Sequence, residues 1–420
     1  MNDKIQKLRG VEDVFGSLAI EWKQLEDVVF SELNKAEYSL VKVPVIEMVD
    51  VFHRSNENAD IVMKEFYDFK DKGGRHIALR PELTAPLIRA IVENKLIDTS
   101  PLPLRIYSYG PVFRYENPQS GRKRQFNQFD IEIIASNSIY DDIDCILFAC
   151  KVYDRIGFKG KYFVELNYLG NSDSIKKYTN VLKEYLTPFK DKLSELSQTR
   201  LMKNPLRILD DKIDGELDFV KKAPKIIDFL SKEDNEEFLK IQEKLKELKI
   251  PFKIDYNMVR GLDYYTNTVF EFKIDGYSSI GAGGRYAKMV QEFGGDDVSC
   301  VGLAFSPERI LTVLHEMKNE TLLNNSKEKK IVVSCRQKEF DFEVLKLVEM
   351  LRENDIACYG KYEIDKAAKI FNYAEKANCD ILVLFGKKEL EQNMVQIIEM
   401  KTKKESFVKK EELVEFLKRI

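Results

Sequence analysis

Tryptophan occurs once, histidine three times and cysteine six times in 420 residues. His53, His76 and His315 are too few and too dispersed to form a metal cluster. Cys145, Cys150, Cys300, Cys335, Cys358 and Cys379 contain no C-x-x-C pair, which favours free thiols in a reducing cytoplasm over a disulfide framework or a zinc site. No apolar run approaches the roughly 18–20 residues that span a bilayer, and MNDKIQKLRGVED at the N-terminus lacks the apolar stretch of a signal peptide. The expectation is a cytoplasmic protein without membrane contact. Positive charge is not in excess either: 67 Lys and Arg face 70 Asp and Glu, a net charge of −3. That leaves no global footprint for nucleic acid, so any such binding must rest on local patches.

What is present is ordinary globular material, 44% hydrophobic and 33% charged, in a chain long enough for two or three cores. Trp22, Leu25, Val29 and Leu33 recur at helical spacing and predict an amphipathic helix over 17–36. YSLVKVPVIE (38–47) reads as a strand whose Pro44 suits an edge or an interface. Short strands are expected over 62–80 around the turn DKGGR, then a helix over 81–94. Leu104 to Ala135 reads as a β-hairpin with a polar tip, NPQSGRKR. Over 172–250 Lys, Glu and Leu dominate, glycine nearly disappears and helical periodicity predicts a helical insertion. Strand patterns return over 253–286, and SPERILTVLHEM (306–317) is a helix. The polar stretch 318–330 reads as a linker. Beyond it strands and helices alternate (IVVSC, helix 340–353, IACYG, helix 365–377, DILVLFG, a further strand and a last helix), which predicts a small α/β domain. The expected architecture is α+β: a catalytic body over 1–320 and an α/β domain over 327–420.

Three segments carry residues suited to chemistry. On the second strand of the hairpin Gln128, Asp130 and Glu132 alternate with Phe129, Ile131 and Ile133, so the polar three share one face. Arg114 and Glu116 share a face in the same way on the first strand. Such a face is either a site or a half-exposed solvated surface. RGLDYYTNTVFEF (260–272) opens with an arginine and two tyrosines and is followed by AGGRY (282–286). Gly281, Gly283 and Gly284 either admit a ligand close to the backbone or merely let it bend. In GLAFSPER (302–309), Ser306 suits an N-cap and Pro307 the first helical position. Arg309 then lies in a first turn that favours phosphate.

In this order the pieces resemble the class II aminoacyl-tRNA synthetases. FRYENPQSGRKRQFNQFDIE (113–132) resembles their second motif, GLAFSPER the third, and the helix before Pro44 the first. RPELT (80–84), RGLDYYTNTVFEF and AGGRY resemble signatures of the histidyl-tRNA synthetase family, and MKNPLRILDDK (202–212) its bacterial form. The resemblance implies an antiparallel-sheet catalytic domain with a helical insertion and a C-terminal α/β anticodon-binding domain. It implies a homodimer that joins L-histidine to ATP, releases pyrophosphate, and transfers histidine from the adenylate to the 3′-terminal adenosine of tRNA(His), leaving AMP. Mg²⁺ accompanies the ATP phosphates, and no metal is held by the protein itself. Carried over residue by residue, it places Arg114 and Arg260 at the α-phosphate, Arg309 at the far phosphates and Glu116 at the adenine end. Glu82, Thr84 and Gln128 receive the α-ammonium group, Glu132 and Tyr265 read the imidazole, and Tyr286 packs against its ring. Gln119, Arg122, Lys123 and Arg124 form a loop for the acceptor stem. From Ser326 onward 20 basic residues face 18 acidic ones, so an RNA-binding role for the tail follows from the family pattern and not from charge.

The chain departs from that pattern at Ser306, where the third motif normally has glycine, at Ala287, which follows GGRY in place of aspartate, and at Asn117, where bacterial members often carry arginine. Ser306 either crowds ATP or is absorbed by a small shift. The competing reading is a binding protein, the synthetase-like regulatory subunit of the ATP phosphoribosyltransferase of histidine biosynthesis. That paralogue usually lacks the C-terminal domain and loses catalytic signatures, whereas here RGLDYY is intact and the tail is present. A class II relative acting on another amino acid fits poorly with Glu82, Gln128, Glu132 and Tyr265 together.

Overall fold

The computed structural model describes residues 5–56, 65–117, 122–260, 264–318, 329–363 and 367–420, and the chain divides into two compact units, Met1–Leu322 and Leu323–Ile420. In the first unit, helix α1 (Ser17–Lys35) buries Leu25, Val29 and Leu33 completely. Trp22 on the same face is half-buried, its indole N–H donating to Glu26 at 2.7 Å. The strand expected over 38–47 is instead two. β1 (Ser39–Leu40) joins one sheet and β2 (Ile46–Met48) another. Pro44 has no N–H for a ladder, and the Arg80 guanidinium takes the Val43 and Pro44 carbonyls at 2.7 and 3.3 Å. β3 (Tyr67–Lys70) and β4 (His76–Leu79) flank the DKGGR turn, which Asp71 closes by accepting the Gly73 and Arg75 amides, both at 2.9 Å.

Helix α2 (Thr84–Glu93) follows, then the long hairpin β5 (Leu104–Phe113) and β6 (Gln125–Ile134), and helix α3 (Ile139–Tyr153). With β7 (Phe163–Tyr168), β8 (Phe252–Ile254), β9 (Tyr265–Lys273), β10 (Gly281–Tyr286) and β11 (Cys300–Phe305), these strands build an eight-stranded sheet in the order β1-β5-β6-β11-β10-β9-β7-β8. All neighbours are antiparallel except β1 with β5 and β7 with β8. The hairpin is not half-solvated: Phe129, Ile131 and Ile133 are fully buried in the main core, while Gln128, Asp130 and Glu132 are buried on the opposite face. The AGGRY glycines prove to serve packing. A Cβ on Gly283 would sit 2.1 Å from the Gly302 carbonyl oxygen and 2.7 Å from the Phe270 ring.

The helical stretch splits in two. Tyr178, Leu182 and Leu186 of α4 (Ser172–Leu186) form a separate small core with Leu201, Ile208, Val220 and Ile226. Helix α5 (Lys232–Glu247) instead returns Phe238, Ile241 and Leu245 to the main core, beside Tyr168. Helix α6 (Pro307–Glu316) closes the unit. Most of the expected linker lies outside the described residues.

The second unit is a five-stranded sheet ordered β13-β12-β14-β15-β16: β12 (Ile331–Cys335), β13 (Cys358–Lys361), β14 (Ile381–Phe385), β15 (Met394–Glu399) and β16 (Lys404–Lys409). The first three are parallel and the last two antiparallel. ILVLF is an unbroken apolar run, and IVVSC is one but for the buried Ser334, because both faces are covered. Val333 and Val383 face α7 (Asp341–Glu353) and α9 (Leu413–Arg419), while Val332 and Leu382 face α8 (Ala367–Lys376). The tail therefore has one more strand than expected. β16 is an edge strand with mostly exposed side chains, so KESFVK carries little hydrophobic periodicity.

Candidate active site

A cavity of about 210 Å³ opens over the polar face of the eight-stranded sheet. Its walls come from the N-terminus of α2, both arms of the hairpin, the start of β9, the turn before β10 and the start of α6. Glu82, Thr84, Arg114, Glu116, Arg122, Lys123, Gln128, Arg260, Tyr265 and Arg309 all line it. Residues more than 200 positions apart in sequence thus meet at one surface. Glu132 and Tyr286 sit behind the wall, the Tyr286 hydroxyl donating to Glu132 Oε2 at 2.9 Å. Glu132 can fold there because its β11 neighbour is Gly302, whose Cβ would lie 2.0 Å from Glu132 Oε2. Gln119 lies outside the described residues.

The two ends of the cavity differ in charge. At the acidic end Glu82 replaces a side-chain cap on α2, accepting the Thr84 amide at 2.6 Å and the Ala85 amide at 2.9 Å. Burial nevertheless raises its carboxyl above the ordinary range. Burial pushes Glu132 up to about 7. Burial, and then the neighbouring Glu132, raise Asp130 well above the ordinary range. Gln128 is buried, and its Oε1 has no hydrogen-bond partner among the described residues. An orphaned buried acceptor in a cavity wall marks a place for a donor on a ligand.

The opposite end collects cations. Arg114 donates from Nε to the Pro81 carbonyl at 2.9 Å, and its guanidinium lies 5.2 Å from the Phe126 ring centroid. Strand β5 ends at Phe113, so Arg114 and Glu116 lie past it and not on the strand as expected. The Tyr115 amide is drawn off to the Glu65 carbonyl at 2.8 Å, yet both residues still reach the cavity. Arg260 is paired with Glu271 and lies 5.8 Å from the Tyr265 ring centroid, while its buried Nε has no partner among the described residues. Arg309 donates to the Ser279 carbonyl at 3.2 Å, and burial followed by the nearby Arg114 and Arg122 depresses its pKa. Crowded guanidinium groups facing a cavity are an anion site. The basic loop is partly engaged: Lys123 pairs with Glu12, Arg122 lies 3.4 Å from Glu116, and Arg124 stacks 4.2 Å from the Tyr115 ring centroid.

Ser306 does not cap α6 with its side chain. Its hydroxyl donates to Glu308 Oε2 at 2.7 Å, and the other Glu308 oxygen accepts the Asn127 amide at 2.8 Å. The extra hydroxymethyl is thereby held by a buried carboxylate. Sequence reading missed Glu271, the partner of Arg260, although a lone acid in TVFEFK was a signal. It also missed Tyr264, packed between Tyr265 and Tyr286 with ring centroids at 4.6 and 5.4 Å. Arg285 of AGGRY belongs to the scaffold: its Nε lies 3.1 Å from both oxygens of the fully buried Asp142.

Comparison with known proteins agrees with this geometry. The family model described as histidyl-tRNA synthetase matches residues 10–310, and one described as anticodon binding domain matches residues 329–420. The histidine–tRNA ligase of Malacoplasma penetrans is 39% identical over 415 residues, 97% of each chain. That of Lacticaseibacillus casei is 40% identical over 405 residues, 94% of this chain and 93% of the relative. Among solved structures, the apo histidyl-tRNA synthetase of S. aureus superposes with a TM-score of 0.82 at 29% identity, covering 99% of this chain and all of the other. A Bacillus halodurans protein described as an ATP phosphoribosyltransferase regulatory subunit/histidyl-tRNA synthetase shares the fold at 20% identity, TM-score 0.66, covering 92% of this chain and 99% of the other. With matches to both domains and near-complete alignment to ligases, the chain belongs to the histidyl-tRNA synthetase family.

Proposed function

We propose that this chain is a histidine–tRNA ligase that works through the cavity above β6, β9 and β11. The observation that carries the reading is the polarity of that cavity: carboxylates and an orphaned amide oxygen at one end, a cluster of guanidinium groups at the other. A histidine zwitterion and the phosphates of ATP have the matching charges. The α-ammonium group is received by Glu82, Thr84 and the free Oε1 of Gln128. Tyr265 and, from behind the wall, Glu132 hydrogen-bond the imidazole edge, with Tyr286 fixing Glu132. Such a site leaves its own buried groups unpaired when the ring N–H is absent, which can reject analogues by ~10⁴-fold or more.

Activation is in-line attack of the histidine carboxylate on the α-phosphorus, with pyrophosphate leaving. Two anions approach, so fixed cations that act where charge develops dominate the barrier. Arg114 and Arg260 clamp the α-phosphate, Arg309 holds the leaving phosphates, and Glu116 faces the adenine end. Mg²⁺ enters on the ATP phosphates, where water and phosphate oxygens supply most of its ligands. In the second step the 3′-terminal adenosine of tRNA(His) attacks the adenylate and AMP leaves. Gln119, Arg122, Lys123 and Arg124 guide the acceptor stem as phosphate contacts, which position without reading bases. The domain over 327–420 takes the anticodon, and the body over 1–320 carries the chemistry.

The working form is a homodimer in the cytoplasm. Leu40 on β1, Ile46 and Met48 on β2 and Phe69 on β3 are each more than two-fifths exposed. A two-fold axis would bury such apolar edges in a self-complementary contact. Charging assays with purified tRNA transcripts test the function: histidine is attached to tRNA(His) and to no other transcript, and a protein that charges none refutes it.

A further inference from the structure

Behind the amino-acid end of the cavity lies a carboxyl group that the chemistry above does not use. Asp130 lies between Gln128 and Glu132 on β6 and is 1% exposed, with Ser108 of β5 and Ala304 of β11 as its neighbours in register. Thr84 Oγ1 donates to Asp130 Oδ2 at 3.1 Å. Asp130 Oδ1 is buried and accepts from no ordinary donor among the described residues. The Glu132 carboxyl lies within hydrogen-bonding reach of the Asp130 carboxyl. Glu82 faces the pair from the N-terminus of α2, Tyr264 and Tyr265 from the start of β9, and Tyr286 from β10.

Two adjacent buried carboxyl groups cannot both be ionised without a cation between them, and among the described residues no basic group makes a contact with either. A single shared proton satisfies every atom: Asp130 gives it to Glu132 and still accepts from Thr84. The Thr84 amide in turn donates to Glu82. Glu82, Thr84, Asp130, Glu132 and Tyr286 then form one hydrogen-bonded line along the wall, from the ammonium end to the imidazole end.

We propose that Asp130 is a specificity-determining positioning residue, which as hydrogen-bond donor to Glu132 aims that carboxylate at the imidazole and through Thr84 ties it to the ammonium subsite. This rests on the reading that the cavity takes histidine. It follows that the wall presents one negative charge fewer than three ionised carboxyl groups would, to a substrate with two N–H-bearing ends. The third charge would favour more cationic ligands.

The test uses the full-length protein, with KM for histidine, KM for ATP and kcat measured in histidine-dependent pyrophosphate exchange. Asp130→Ala breaks the line and raises the histidine KM about tenfold or more, with kcat and the ATP KM changed far less. Asp130→Asn keeps a donor and an acceptor and restores the histidine KM to within about threefold of wild type. An unchanged histidine KM in Asp130→Ala overturns the proposal. So does an Asp130→Asn variant as impaired as Asp130→Ala, since charge and not donation would then be needed. A second readout does not depend on Asp130→Ala folding. Infrared difference spectra of wild type against Asp130→Asn at neutral pH should contain the carbonyl band of a protonated carboxylic acid, and its absence overturns the proposal. Exchange with a different amino acid would sink the histidine reading while leaving that band to be found, so the two failures are distinguishable.

Discussion

Replacing Arg260 with histidine separates catalysis from scaffold. The side chain is 18% exposed and paired with Glu271, and among the described residues its buried Nε has no partner. One edge of the fork is therefore held by protein and another remains for phosphate. If that edge acts as charge develops on the α-phosphate, Arg260→His lowers the activation rate constant by ~10²-fold or more, about 2.7 kcal/mol. The structural cost is smaller. Glu271 keeps Lys273 at 3.9 Å, so loss of the arginine leaves it near a cation, at about 1–2 kcal/mol of stability. That corresponds to a melting shift of roughly 2–8 °C, and the variant stays folded at 25 °C. Histidine affinity, set by Glu82 and Gln128 at the other end, changes little, and transfer from preformed adenylate suffers less than its formation. Single-turnover activation and transfer rates on a folded variant decide the matter. A near-wild-type activation rate refutes the reasoning, as do equal losses in both steps that follow the unfolded fraction.

Three further outcomes are expected. Gln128→Leu removes the orphaned acceptor and raises the histidine KM about tenfold or more, with little change in the ATP KM; equal changes in both contradict the division of the cavity. Glu132 carries a raised pKa, about 7 against 4.5, so between those values the folded state holds a proton that the unfolded state has released. Its contribution to stability is therefore full below about 4.5 and is lost as pH rises through about 7, on the order of 3 kcal/mol. Melting of the ligand-free protein relative to Glu132→Gln should accordingly fall from pH 5 to about 7.5, and a flat difference rejects it. Arg285→Met strands the buried Asp142 carboxylate and costs about 3–5 kcal/mol in denaturant unfolding, largely recovered in the double variant with Asp142→Leu.

Much of this site was legible because its residues sit in contiguous motifs with fixed chemistry. Glu82, Gln128, Arg260 and Arg309 each stand in a short signature, and all four reach the cavity. What stayed hidden depends on contacts across the fold. Asp130 reads as one more polar residue on an alternating strand; its meaning comes from Thr84, 46 positions away. Arg285 sits in a signature yet props the sheet against α3, a role set by Asp142, 143 positions away. The polar hairpin face was ambiguous because alternation alone does not say what covers it. The strand expected over 38–47 is two for a related reason: besides the missing N–H of Pro44, the Arg80 side chain from another strand end takes the Val43 and Pro44 carbonyls. In the tail, β12 and β14 declared themselves by almost wholly apolar runs, whereas the exposed edge strand β16 had no pattern to read.

The most direct test of the account is amino-acid-dependent exchange of labelled pyrophosphate into ATP by the purified protein, across a panel of all twenty amino acids. The account predicts exchange with histidine alone, lowered ~10²-fold or more in Arg260→His and retained at saturating histidine in Gln128→Leu. Exchange with another amino acid, or with none, would contradict it.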